Sequence, residues 1–297
     1  MTTREQLEKA GKERYAIGAF NAANIETLKA VINAATKLRS PVIIEASEGE
    51  VEYIGKKQLS ALVRIYKLSN NIPITVNLDH AASFEACREA IESGFDYVHI
   101  DGSKLPYGEN VRITKEVADY AHKHNVVVEG EMDHIGGSSA DHTNEDPESV
   151  QKKTRYTNPQ KALDFVSSTG IDVFASFVGN LHGLYAEEMH LKLDLLDEIK
   201  KLLPDTFLSL HGGSGIFNDD VKKAIKTGIV KVNVNSEMRI AFKAALQKSL
   251  NETDEIAIYK LTPPAIQAVQ EIVERKILLF GSNDKYDLKN TSFLPIL

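Results

Sequence analysis

The chain has 297 residues, 42% of them hydrophobic and 26% charged, with a formal net charge of −7. That balance is typical of a folded globular protein, and the acidic sum argues against a nucleic-acid partner. No apolar run approaches the roughly eighteen residues needed to span a bilayer. The polar start lacks a secretory segment, and the lone Cys87 allows no internal disulfide, so the expected home is a reducing cytoplasm, away from membranes.

From the N terminus, short apolar runs alternate with amphipathic stretches. Strands are predicted over 15–20, 42–46, 74–78, 96–100, 126–130, 172–177, 206–210 and 230–234. Helices are predicted over 25–38, 57–68, 84–93, 109–124, 159–168, 193–202, 219–227 and 237–249. Eight strands, each followed by a helix, predict an α/β fold, a (β/α)8 TIM barrel, as one domain over 1–297. Several strands are almost continuously apolar, as strands buried on both faces are. Ser83 is placed to cap the helix that follows it, and Gly94 and Gly228 to end helices. A doubly wound sheet is the rival, but no GxGxxG turn marks one. Two segments fall outside the repeat. The polar stretch 133–156 is long enough to predict an active-site lid, and 263–280 predicts an additional C-terminal helix.

Three histidines, His80, His182 and His211, each stand where a strand-like run gives way to a loop. In a parallel barrel those strand ends converge on one mouth, where three neutral imidazoles make an open zinc site. The other histidines fit plainer roles: His122, His124 and His190 at helix ends or in loops, His134 and His142 exposed in the lid. His99, inside a strand, is expected to face the helix layer or a polar neighbour. Cys87 reads as a small buried hydrophobe.

The same rim collects Asn21, Ser47, Asp79, Asp101, Glu131, Gly183 and Asn233. Adjacent strand residues diverge, so Asp79 is expected to face across the mouth from His80, where a carboxylate suits proton transfer. Asp101 and Glu131 suit rim ion pairs, helix caps or a second cation. The turn His211-Gly212-Gly213-Ser214-Gly215 exposes backbone N–H groups that fit a phosphate. Asn233, Asn235 and Ser236 open the next helix beside it.

Taken in order, Gly18-Ala-Phe-Asn21, Ala46-Ser47-Glu-Gly49, Asn77-Leu-Asp79-His80, Glu129-Gly-Glu131, His182-Gly183-Leu-Tyr, His211-Gly-Gly-Ser-Gly215 and Lys231-Val-Asn233 resemble the class II, metal-dependent aldolases of fructose and tagatose bisphosphate over nearly the whole chain. The resemblance implies that His80, His182 and His211 hold a catalytic Zn2+, with Asp79 exchanging a proton with the substrate oxygen. It implies that Asp101 and Glu131 take a second divalent or a monovalent cation, or the displaced zinc. Gly183, Gly212, Gly213, Ser214, Asn233, Asn235 and Ser236 would bind the dihydroxyacetone phosphate half, and Arg239 the far phosphate. It implies a homo-oligomer, dimer or tetramer. Departures are Ala186-Glu187-Glu188 where many relatives carry a lysine, Asn235 where some carry Asp, and the charged Glu45 and Glu50.

The expected activity is therefore zinc-dependent cleavage of fructose 1,6-bisphosphate to dihydroxyacetone phosphate and glyceraldehyde 3-phosphate. Tagatose 1,6-bisphosphate is the close alternative. A catalytically silent sugar-phosphate-binding protein on the same scaffold is the alternative from another class. A metal-dependent barrel hydrolase is disfavoured by the lack of a His-x-His pair on the first strand. No lysine stands at a strand end as a Schiff base would require.

Overall fold

A computed structural model describes residues 1–70, 72–152 and 154–286. In chain order the elements are α1 (Thr3–Glu13), β1 (Ile17–Asn21), α2 (Ile25–Lys37), β2 (Val42–Ser47), α3 (Glu48–Ile54), α4 (Lys56–Asn70), β3 (Ile74–Ala81), α5 (Phe84–Glu92), β4 (Tyr97–Asp101), α6 (Tyr107–Lys123), β5 (Val127–Glu131) and β6 (Gly137–His142). There follow α7 (Pro147–Gln151), α8 (Pro159–Thr169), β7 (Val173–Ala175), β8 (His182–Tyr185), α9 (Leu193–Leu202), β9 (Phe207–Leu210), α10 (Asn218–Thr227), β10 (Ile229–Val234), α11 (Ser236–Glu252), α12 (Ile258–Leu261) and α13 (Pro263–Phe280). Parallel strands close a barrel in the order β1-β10-β9-β7-β5-β4-β3-β2, so the predicted TIM barrel is the fold.

Strand alternation sorts the core into two layers. Val42, Ile44, Ala46, Val98, Ile100, Val128 and Phe174 pack outward with the helices. Ile17, Ala19, Ile43, Tyr97, Val127 and Val173 pack inside the barrel. Helix α1 was not predicted. A capping box between Thr2 and Glu5 starts it, and Leu7 and Ala10 join the inner cluster. Arg4 pairs with Asp172, and Thr3 Oγ1 lies 3.1 Å from Thr75 Oγ1. The helix thus closes the N-terminal end of the barrel.

At the other end the chain departs from the plain repeat. The sixth predicted strand, 172–177, is shortened to β7, which stops at Ala175; Phe177 exchanges hydrogen bonds with Thr157 instead of a strand. Within the segment predicted as a lid, β6 pairs in parallel with β8 as a separate two-stranded sheet, and α7 follows. Helix α13, as predicted, runs along the outside, where it packs on α2 and α11. Ser83 accepts the Ala86 N–H as the predicted cap, and Gly228 ends α10.

Candidate active site

Because side chains alternate along a strand, the inward positions of each strand form layers. Above the apolar layer lie Glu45, Asn77, His99, Glu129, Ser209 and Lys231, and above those Asn21, Asp79, Asp101, Glu131, His211 and Asn233. His80 breaks this parity. Between Leu78, paired with Val98, and Ala81, paired with Ile100, two residues of β3 oppose one of β4. This is a β-bulge, which re-aims side chains. His80 adopts φ +50°, a left-handed conformation costing a non-glycine residue about 1–3 kcal/mol. The expectation that Asp79 and His80 diverge is thereby corrected: the bulge turns both toward the mouth, His80 Nε2 lying 3.9 Å from Asp79 Oδ1. His99 does not face the helix layer. It is fully buried inside the barrel, its ring centroid 4.5 Å from that of His80 and 4.7 Å from that of His211.

The expectation that His182 ends a barrel strand is corrected, since β7 stops at Ala175 and His182 opens β8. It nonetheless clusters with His80 and His211, with ring centroids 5.0 Å apart for His80 and His182, 4.9 Å for His80 and His211, and 5.9 Å for His182 and His211. Their hydrogen bonds decide which nitrogens face one another. His80 Nδ1 lies 2.9 Å from Asp101 Oδ2, and His211 Nε2 lies 2.7 Å from Glu129 Oε1. A carboxylate only accepts, so each of these nitrogens carries a proton. His80 Nε2 and His211 Nδ1 then face each other at 3.1 Å. Two bare lone pairs at that distance repel unless a cation or a proton lies between them. His182 Nε2, buried beside them, has no partner. Burial outweighs Glu129 and brings the pKa of His211 down to about 4, while burial, His80 and His211 hold that of His182 well below the usual range. Burial opposes a charge on His80, but Asp79, Asp101 and Glu131 push its pKa up to about 10. A divalent cation bonded to both His80 Nε2 and His211 Nδ1 would relieve that repulsion. The donor set fits such an ion: the facing nitrogens of His80 and His211 are held from behind by Asp101 and Glu129, and the buried ring of His182 packs against both.

Beneath this cluster lies a network that sequence reasoning missed. Glu129 accepts from His211, Ser209, Tyr97 OH at 2.7 Å and Lys231 Nζ at 2.7 Å. Lys231 Nζ also lies 3.6 Å from Glu45 Oε2, and all of these groups are buried. Burial works against the charge on Glu129, yet Lys231, His211 and His99 keep its pKa well below the carboxylate range. Burial likewise opposes the Lys231 ammonium, but Glu129 and Glu45 raise its pKa. Lys231 is thus a buried, paired cation rather than a free amine nucleophile. Counting by twos back from Glu131 and Asp101 would have found Glu129 and His99.

The mouth carboxylates differ in character. Burial disfavours the Asp79 charge, but the neighbouring His80 and His211 hold its carboxyl well below the usual range. Asn233 Nδ2 donates to it at 3.3 Å. Glu131 is fully buried, and burial and Asp101 push its pKa up. With His80, Asp101 and Glu131 form a second group whose ligand atoms lie within 4.8 Å of one another. Asp101 also accepts from the Ser103 N–H and hydroxyl.

One cavity joins Asp79, His80 and His182 to Gly183, Gly212 and Ser214, and continues past Asn233, Asn235 and Ser236 to Asn21. Gly212 at φ +62° would place a Cβ 1.9 Å from Leu181 O, so only glycine fits. Gly213 lies behind the cavity, its N–H donating to Asn233 O. Helix α11 begins at Ser236 with no side-chain cap, which leaves its first N–H groups free for an anion. Ser47 and Arg239 are engaged elsewhere. Glu50 Oε2 accepts from Ser47 N and Oγ and from Asn21 Nδ2, while Arg239 donates to Glu50 Oε1 at 2.6 Å and to Ser139 O.

Comparison with known proteins places the chain in a family. The chain is 38% identical over 289 residues to the 6-phospho-5-dehydro-2-deoxy-D-gluconate aldolase of Bacillus subtilis (strain 168), covering 96% of this chain and 97% of that protein. It is also 38% identical over 289 residues to a "Probable fructose-bisphosphate aldolase" of the same organism, covering 95% and 97%. The crystal structure of the YdjI aldolase from Escherichia coli K12 superposes with a TM-score of 0.82 at 30% identity, covering 97% of this chain and all of that one. The profile of the family described as "Fructose-bisphosphate aldolase class-II" matches residues 1–285. The chain is an aldolase of that class II family.

Proposed function

We propose that this aldolase cleaves a ketose 1,6-bisphosphate reversibly, fructose 1,6-bisphosphate first, into dihydroxyacetone phosphate and glyceraldehyde 3-phosphate. The observation that carries the reading is the pair His80 Nε2 and His211 Nδ1, facing each other at 3.1 Å beside the ionised Asp79, with the ring of His182 packed edge-on against both. A divalent ion held by these three histidines, zinc in this reading, would act as a Lewis acid that polarises the ketose carbonyl. Asp101 and Glu129 fix the tautomers of His80 and His211 and so their aim.

In the cleavage direction the ionised Asp79 accepts the proton of the C4 hydroxyl. The C3–C4 bond breaks with its electron pair moving toward C3, and the C4 carbonyl leaves as the aldehyde; C3 then takes a proton from water to give dihydroxyacetone phosphate, and Asp79 releases its own to water. In condensation the same carboxyl returns the proton to the aldehyde oxygen. Gly183, Gly212, Ser214 and the start of α11 at Ser236, with Asn233 and Asn235 beside them, receive the C1 phosphate through backbone N–H groups. Gly213 sets the turn. Asn21 lines the cavity, and Ser47 and Arg239, joined to it through Glu50, would serve the far end of the substrate. Asp101 and Glu131 supply oxygen ligands for a second cation.

Ile256, Ile258 and Tyr259 are exposed around α12, which supports assembly into a homo-oligomer. The buried, unpaired Cys87 supports a cytoplasmic setting, and no described helix is long and apolar enough to cross a membrane.

The test is a coupled assay with fructose and tagatose 1,6-bisphosphates, before and after chelation. Cleavage that stops with chelator and returns with zinc or cobalt is expected, with the fructose epimer turned over faster. Faster turnover of tagatose bisphosphate would reassign the sugar. Inactivation by borohydride in the presence of substrate would instead point to a Schiff base and contradict the mechanism.

A further inference from the structure

We infer that His99 is the positioning residue that holds His80 in its bulge, an inference that rests on the metal-aldolase reading above. A bulge leaves the extra residue's backbone without its ladder partner, and a buried N–H left unpaired is costly. Here the His80 N–H donates to His99 Nδ1 at 3.2 Å, so the side chain of β4 takes the place of a strand carbonyl. His99 is the single residue opposite Asp79 and His80, and its ring meets that of His80 edge-on. The acceptor role settles its tautomer. With Nδ1 accepting, the proton sits on Nε2, which faces the buried Glu131 Oε2 at 3.6 Å, and neither atom has another partner.

His99 therefore spends its lone pair on the backbone of a neighbour and not on an ion, although it lies among Asp79, His80 and His211 in a group spaced for one. It touches no reacting atom in this account. Its effect is to keep φ of His80 positive, and thereby to keep His80 Nε2 aimed at His211 Nδ1.

Two substitutions separate the two nitrogens of His99. An asparagine amide oxygen can stand near Nδ1, and a glutamine amide near Nε2. His99→Asn is expected to keep Zn2+ affinity within a few-fold of the unaltered protein. His99→Gln and His99→Leu are expected to lose about 10–100-fold, the usual effect of removing a partner behind a metal ligand, and to change the visible spectrum of the Co2+-loaded protein. Circular dichroism of the metal-stripped variants checks folding. If the leucine variant fails to fold, the asparagine and glutamine pair decides alone. Rescue by glutamine but not asparagine, or unaltered metal affinity in all folded variants, would overturn the inference. Failure of the underlying reading looks different: the unaltered protein would bind no zinc or cleave no ketose phosphate.

Discussion

At the N-terminal end of the barrel, Leu7, Ala10, Ile17, Ile43 and Val173 fill the interior with hydrocarbon. At the C-terminal end, inward positions of the barrel strands carry Asp79, Asp101, Glu131, His211 and Asn233. The difference lies in what each end loses by change. The closed end gains its stability from apolar area and shape, and it holds no group that chemistry needs. The open end concentrates buried charges whose pairing is demanding, because an ion removed from water must be matched closely by its partners. Between them Tyr97, Glu129 and Lys231 form a layer that belongs to both, anchored in the apolar floor and bonded to His211.

Substitutions at each level should break this contrast to different degrees. His182→Ala at the open end is expected to have the largest effect, with loss of bound metal by elemental analysis and a fall in cleavage of about 10³-fold, while the thermal midpoint of the metal-stripped protein barely moves. Asp79→Asn should follow, with metal retained and kcat reduced about 10²–10⁴-fold. Loss of metal in that variant would assign Asp79 a structural role. In the middle layer, Lys231→Met leaves Glu45 and Glu129 buried without their cation. Denaturant unfolding should then show a loss of about 3–5 kcal/mol, with metal affinity lowered about tenfold through His211. Leu7→Ala, at the closed end, should cost about 2–5 kcal/mol of stability and leave kcat/KM unchanged. A comparable loss of activity in Leu7→Ala would erase the distinction between the ends.

The barrel was legible because its strands are short apolar runs at regular intervals, and so were the three histidines, which end such runs. Strand parity was available but underused. Tyr97, His99 and Asp101 share one face, so an inward Asp101 required an inward His99. The bulge at Asp79–His80 was not legible, since nothing in Asn77-Leu-Asp-His announces an extra residue, and no glycine marks the positive φ. Helix α1 has a low apolar content, and only its Thr2–Glu5 capping box betrays it. The strand β6, Gly-Ser-Ser-Ala-Asp-His, lacks any apolar alternation because it is largely exposed and pairs only with β8. The engagement of Arg239 by Glu50 was equally hidden, since 189 positions separate the two residues.

The central claim is that the histidine cluster at the open end works through a bound divalent ion. Titrating zinc into chelator-stripped protein, with cleavage of fructose 1,6-bisphosphate and bound metal measured on the same samples, tests it most directly. Activity should rise from the baseline in proportion to bound zinc and reach most of its plateau at the first equivalent. Full activity in the stripped protein, or tight zinc binding that leaves cleavage at zero for both ketose bisphosphates, would contradict it.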